Sequence, residues 1–372
     1  MSGAATDALR VLHLDTERGW RGGERQTLWL ARELGRLGHA SFVAARPRGP
    51  LALAAADAGL PVVPCAPLAP ADAFAAWRLR RAILRDEFHL VHAHTGNAVT
   101  LGALATLATG VPMVVTRRVD FPLNRGPGTR WKYARAAAVV AISRRVRDVL
   151  VSSGVPAERV DVVPDGVDLS RAMAVADDRR LRELGVTAGV PLVVMVAALV
   201  GHKDPLTFVR AVSAARAGGA SIQALLVGDG FLIDRVRAEV ARLGLDGTLT
   251  VAGWQDDADA LIAASDIVVL SSLEEGQGSV LLDAMQCGKP VAATRAGGIA
   301  DVVVDGETGL LVHPGDAPAL GSALARLCAD SAMRQRMGSA GRARVRNFGI
   351  DRTAALTVAV YRRVLSGRPR GD

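Results

Sequence analysis

Aromatic residues make up only 4% of the 372-residue chain, too few for a surface that reads nucleic acid by base stacking. No zinc finger, basic zipper helix or aromatic-rich RNA-binding strand accompanies them, so no nucleic acid is expected as a partner. Cysteine is equally scarce. Cys65, Cys287 and Cys328 stand at spacings that suit neither a disulfide framework nor a zinc site, as in a reducing cytosol. Long apolar runs are missing too: stretches such as PLVVMVAALV fall short of the roughly 20 residues that span a bilayer. The opening MSGAATDALR lacks the basic segment and apolar core of a secretory leader. These absences predict a cytoplasmic protein, with peripheral contact at the inner face of a membrane left open. Lysine is rare, three of 45 basic residues. The net charge is +8, and residues 1–165 carry all of that excess, with 22 basic against 14 acidic side chains. A basic half suits an anionic partner, although an arginine-rich composition alone would also produce it.

What is present is alternation. Short β-branched runs (RVLHLD 10–15, ASFVAAR 40–46, FHLVHAH 88–94, PMVVTRR 112–118, AAVVAIS 137–143, RVDVVPDG 159–166) alternate with helical stretches such as GERQTLWLARELGRLG. The pattern restarts with PLVVMVAAL (191–199) and continues through SIQALLVGDG, TLTVAGW, SDIVVLSS, KPVAATRAGG and TGLLVHPGD. Strand–helix alternation of this kind predicts an α/β chain with two doubly wound parallel sheets. The expected domains are 1–168 and 186–349, with the amphipathic helix 350–367 packing back on the first. Ligands of open parallel sheets sit beyond the carboxyl ends of the strands, so a cleft between the two domains is the expected site.

The candidate residues cluster at strand-to-helix junctions. RGWRGGERQ offers Gly22 and Gly23 before a helix N-terminus, an arrangement for an anion or merely a tight turn. It is not G-x-G-x-x-G, so the dinucleotide fingerprint fails. VHAHTGN places His92 and His94 on one side of a strand end. No third ligand is evident, which disfavours a metal; one histidine bonding a sugar hydroxyl is the better reading. Lys203, in AALVGHKDP, is a mobile point charge suited to a diphosphate, or an ordinary exposed lysine. DDADA (256–260) reads as the acidic start of a helix rather than a metal motif. Most informative is SSLEEGQGSVLLDAMQCGKP (271–290). Gly276 and Gly278 free a loop to present amides, the helix from Ser279 adds its positive end, and Glu275 and Asp283 supply acceptors for sugar and ribose hydroxyls.

The stretch EGQGSVLLDAMQCGKPVAATRAGGIADVVVDGETGLLV (275–312) resembles the signature of retaining glycosyltransferases of family 4, which have the GT-B fold of two facing Rossmann-like domains. GGERQTLWLARELGRLGH, VHAH, VAISRRVRDVL, VVPDGVD and VGDG follow in that family's order, so the resemblance covers nearly the whole chain. It implies a donor site in which Glu275 contacts the sugar, Asp283 the ribose, and the backbone of Gln277, Gly278 and Ser279 the sugar and diphosphate. Lys203 would neutralise the leaving group, His94 contact the sugar near the reacting carbon, and Gly22 and Gly23 lie against the phosphates. Three positions depart from the pattern: Asp283 stands for the usual Glu, Gln277 for an aromatic, and Ala198 for an Arg. The last leaves a diphosphate under-neutralised, and Arg117 or Arg118 is the expected substitute.

The implied reaction moves a sugar from a nucleoside diphosphate to a saccharide or lipid-linked acceptor hydroxyl, with retained configuration and without metal or other cofactor. A nucleotide-sugar epimerase or hydrolase on the same fold is the alternative. FAAWRLRRAILRDEF (74–88) reads in two ways. Arg78, Arg81 and Arg85 form a stripe that would suit an anionic membrane; alternatively this is a surface helix with Phe74 and Trp77 in the core.

Overall fold

The computed structural model describes residues 8–171 and 175–367. Two compact units emerge: one runs to Asp168 and resumes at Ile350, and the other is Leu169–Gly349.

The first unit holds a seven-stranded sheet in the order β3-β2-β1-β4-β5-β6-β7. Its strands are β1 (Arg10–Leu14), β2 (Ala40–Ala45), β3 (Val62–Pro64), β4 (Leu90–Ala93), β5 (Met113–Arg117), β6 (Ala136–Ala141) and β7 (Val160–Val162). Every pairing is parallel. β3 escapes sequence reading because it is three residues long and flanked by prolines. Strand alternation divides the core into two layers. Leu12 and Leu14 join Val91, Ala93 and Ile83 on one face. Val11 joins Leu90, Val114 and Val140 on the other, where the C-terminal helix Ile350–Ser366 adds Ala354, Val358 and Tyr361. Arg363 clamps that helix to Asp161 through a bidentate ion pair, one arm 2.8 Å long.

The helix Ala73–Arg85 forms as expected, capped by the Asp72 carboxylate on the Ala75 amide. Its core side is Ala76, Leu79, Ala82 and Ile83. Phe74 and Trp77 are 67% and 50% exposed, which overturns the reading that buried them. They lie about half a turn away from Leu79 around the helix, so Leu79 and Ile83 enter the core and the aromatics do not.

The second unit carries a six-stranded parallel sheet, β10-β9-β8-β11-β12-β13. These strands are β8 (Leu192–Val196), β9 (Gln223–Val227), β10 (Leu249–Gly253), β11 (Ile267–Leu270), β12 (Val291–Thr294) and β13 (Gly309–Val312). Their near-continuous apolar sequences, LVVMV and IVVL among them, reflect helices on both faces. In each sheet the chain reverses its direction of winding once, between β1 and β4 and between β8 and β11, and loops that leave a parallel sheet on either side of such a point part to leave a crevice.

Candidate active site

In the second unit the loops flanking the reversal point carry Lys203 and Glu275. Ser271 Oγ donates to the Lys203 and Asp204 carbonyls at 3.2 and 2.8 Å, and the His202 carbonyl accepts from the Leu273 amide at 2.8 Å. The loops after β8 and β11 are thereby fixed to each other. The two neighbouring acids then diverge: Glu274 is exposed, while Glu275 is buried. The Lys203 ammonium donates to the Glu275 carboxylate, which also accepts from Ser272 Oγ at 3.1 Å. The Glu275 carbonyl accepts from the Gly298 amide at 2.8 Å, tying the loop to the turn after β12.

Gly278 takes φ +81° as N-cap of the helix Ser279–Gln286, with Leu270 and Leu281 close to where a side chain would begin. The backbone angle favours glycine, and a Cβ there would crowd both leucine side chains. Gly278 leaves the first amides of that helix as an uncapped positive end, since no side chain caps it. Gln277 and Asp283 are both 2% exposed, Asp283 one turn into the helix. Gly228, after β9, lies against the Ala197 carbonyl so closely that no Cβ fits, and the Leu199 amide donates to the Asp229 carbonyl at 2.9 Å. This packing explains VGDG, and it fixes the segment holding Ala198. DDADA is structural: Asp257 pairs with Arg180 at 2.8 Å and Asp259 pairs with Arg171.

In the first unit, Gly22 and Gly23 are the opening residues of the helix Gly22–Arg36, so their amides belong to its N-terminus. The Arg21 amide donates to Glu24 Oε2 at 2.7 Å. Asp15, buried beside Glu24, is pushed up to about 6, mainly by desolvation and then by that neighbouring carboxylate.

At the β1–β4 reversal point three histidines meet. His13 supplies the third ring that sequence reading missed, because its partners lie some eighty residues away; His13, His92 and His94 place ring nitrogens within 4.8 Å of one another. Their bonds are already distributed. His92 Nδ1 and Nε2 meet Tyr361 Oη at 2.6 Å and Thr116 Oγ1 at 2.7 Å. Arg118 Nη1 lies 3.3 Å from His94 Nδ1, and His94 Nε2 lies 3.0 Å from His13 Nδ1. A guanidinium only donates, so His94 Nδ1 accepts. His94 therefore carries its proton on Nε2 and gives it to His13 Nδ1. That leaves the His13 proton on Nε2, a buried atom with no hydrogen-bond partner among the described residues. Burial, reinforced by the nearby Arg118, lowers His13 to about 3 and His92 and His94 well below the usual histidine value, with the neighbouring rings adding to the shift of the last two. All three are neutral at pH 7. His94 has no spare ring nitrogen in this arrangement; a contact from it to a sugar must exchange one of these bonds.

Neither candidate arginine is free. Arg118 Nε donates to both Asp165 oxygens at 3.1 Å, so its charge is offset locally. Arg117 donates to the Val119 and Phe121 carbonyls at 3.2 and 2.8 Å. Asp165, within VVPDGVD, and Gln26, which lies within RGWRGGERQ and exchanges two hydrogen bonds with Gly166, join the site although neither was singled out from its motif.

The two parallel-sheet α/β units are those of the GT-B class of fold, which solved structures similar to this chain share. Residues 20–171 match Glycosyltransferase Family 4 and residues 178–344 match Glycosyl transferases group 1. The chain belongs to this glycosyltransferase family. It is 34% identical to the 2-deoxystreptamine glucosyltransferase of Streptomyces kanamyceticus over 70% of this chain and 68% of that one. It is 28% identical to the D-inositol 3-phosphate glycosyltransferase of Arthrobacter sp. strain FB24, covering 76% of this chain and 72% of the relative. Among solved structures it is similar to Anabaena HepE in complex with UDP-glucose, with TM-score 0.80, 22% identity, and coverage of 96% of this chain and 99% of that chain.

Proposed function

We propose that this glycosyltransferase moves a sugar from a nucleoside-diphosphate sugar to an acceptor hydroxyl with retention of configuration and without a metal. The observation that carries this reading is the loop after β11: a left-handed Gly278, an uncapped helix N-terminus and the Lys203–Glu275 pair beside it. Helix amides and an ammonium can stabilise the charge that grows on a departing diphosphate, the place where stabilisation lowers the barrier most. Losing one such donor costs about 3–4 kcal/mol of barrier. In a front-face route the departing phosphate assists deprotonation of the acceptor.

In this reading Asp283 accepts from the ribose diol and Glu275 from sugar hydroxyls, while Gln277, Gly278 and Ser279 offer backbone donors. Gly22 and Gly23 offer helix amides to the phosphates, and Arg117 or Arg118 compensates for Ala198 after exchanging its present partners. Acceptors are saccharides or lipid-linked saccharides in cell-envelope polysaccharide, lipopolysaccharide or glycolipid synthesis, at the cytoplasmic face. The UDP-glucose bound by HepE supports the donor class, and the relatives named for 2-deoxystreptamine and D-inositol 3-phosphate support transfer to a hydroxyl-bearing acceptor.

A thermal-shift screen against UDP-, GDP- and ADP-sugars should raise the melting temperature with one nucleotide series, because a ligand bound to the native state stabilises it by mass action. The product made with the matching donor and an acceptor library should keep the donor's anomeric configuration by NMR. Rapid sugar release or isomerisation with donor alone would favour the hydrolase or epimerase. Unchanged donor affinity and turnover in both Arg117→Ala and Arg118→Ala would remove the arginines from the reading.

A further inference from the structure

The helix Ala73–Arg85 is apolar on two sides. One side is core; the other carries Phe74, Trp77 and Leu84, which are 67%, 50% and 51% exposed. Leu68, just before the helix, is 93% exposed. Phe74 and Trp77 stack with ring centroids 5.8 Å apart, and the Arg81 guanidinium lies 5.1 Å from the Trp77 ring centre. The sequence from Ala73 to Arg85 contains four arginines and no acid. Arg80 is turned to the Leu107 and Ala108 carbonyls, and Arg85 pairs with Asp86 at 2.7 Å. Among the described residues Arg78 and Arg81 have no carboxylate partner. Beside this face opens a groove of about 570 Å³, floored by Val63, Cys65 and Leu79 and rimmed by Leu68, Phe74 and Arg78.

Exposed apolar side chains need a hydrocarbon or another apolar surface; unpaired arginines among them need anions. An anionic lipid surface supplies both at once, with the ring faces below the headgroups and the guanidinium groups at phosphate level. The excess charge of the chain, all within residues 1–165, has the matching sign. We propose that this outward face, with Leu68, is the surface on which the protein docks on an anionic bilayer. The face, rather than a spanning segment, makes the contact: no helix among the described residues is long and apolar enough to cross a membrane. The inference does not depend on which donor or acceptor the enzyme uses.

Co-sedimentation of the full chain with vesicles tests it. Binding is expected to vesicles of equal phosphatidylglycerol and phosphatidylcholine at low salt, and not to pure phosphatidylcholine. Phe74→Ser with Trp77→Ser should lower that binding at least tenfold while leaving the melting temperature unchanged, as both rings face solvent. Arg78→Gln and Arg81→Gln should each lower it roughly fivefold, the equivalent of about 1 kcal/mol per charge at a membrane surface. Brominated lipid should quench wild-type tryptophan fluorescence more than that of Trp77→Phe, a readout that survives even if the double serine variant fails to fold. Soluble glycerol phosphate at matched phosphate concentration should not release the protein. Equal pelleting of wild type and the aromatic variants, no pelleting with anionic vesicles, or complete release by glycerol phosphate would each overturn the proposal.

Discussion

Lys203 and Glu275 hold each other in an ion pair. The pair keeps a buried carboxylate partnered, and in the proposed reaction it would also offset the ammonium charge and turn an acid toward the diphosphate. Glu275→Gln should therefore act in opposite directions on binding and chemistry. Nucleoside diphosphate affinity, measured by calorimetry, is expected to rise severalfold as the Lys203 charge is released, while turnover falls by about 10²-fold as the sugar exchanges a charged acceptor for a neutral amide oxygen. Weaker diphosphate binding in this variant would show that the pair's main role is to hold the loop. Asp283 offers a second contrast. Asp283→Ala should cost about 1.5–3 kcal/mol of affinity for a ribonucleotide, the range of hydrogen bonds to a charged group. It should change affinity for the 2′,3′-dideoxy analogue little. An equal loss with both ligands would place Asp283 away from the ribose.

At the scale of elements, the loop–helix junction after β11 was the most legible part of the chain. Its glycines and acids lie within nine residues, and local geometry alone favours a glycine at φ +81°. Gly278→Ala is expected to lose about 1–2 kcal/mol from the left-handed backbone, and more if Leu270 and Leu281 cannot give way. Urea denaturation checks the stability, and nucleotide titration of the folded fraction checks whether the helix amides still present themselves. The helix Ala73–Arg85 shows the opposite case. Its arginine stripe was readable, but which of its apolar sides meets the sheet was not, since Phe74 and Trp77 have the hydrophobicity of core residues. Ala76, Leu79, Ala82 and Ile83 took the inner face, and the sequence does not display which of two apolar sides will be covered.

Across the first unit, the histidine cluster joins its first strand to its last helix. His13 comes from β1, His92 and His94 from the end of β4, and Tyr361 from the C-terminal helix; Arg118 and Asp165 complete the surroundings. This network makes stability depend on pH with a definite sign. Between about 3, the native value of His13, and the ordinary 6.5, the unfolded chain binds protons that the native state refuses. The histidine contribution is complete above pH 6.5 and is lost as pH falls. Asp15 acts oppositely between 3.8 and about 6, where the native state keeps a proton the unfolded chain has released. Asp165, raised by its burial, acts in the same sense as Asp15; the three histidines outweigh the two aspartates, so the melting temperature should fall by several degrees from pH 7 to 5. His92→Gln, which keeps polar contacts without titrating, should flatten that dependence; an unchanged slope in differential scanning calorimetry would locate the acid sensitivity elsewhere.

By itself the sequence determined the alternation of strands and helices, the two parallel sheets, the family and the glycine-containing loop after β11. Those features are written in periodicities and motifs that span a few residues to a few dozen. Tertiary structure decided which side chains already hold one another: Lys203 with Glu275, Arg118 with Asp165 and His94, and His13 with a ring some eighty residues later. It also decided that Phe74 and Trp77 face outward. The physical reason is the same in each case. Charge compensation and burial depend on distances between residues that folding, not chain order, brings together.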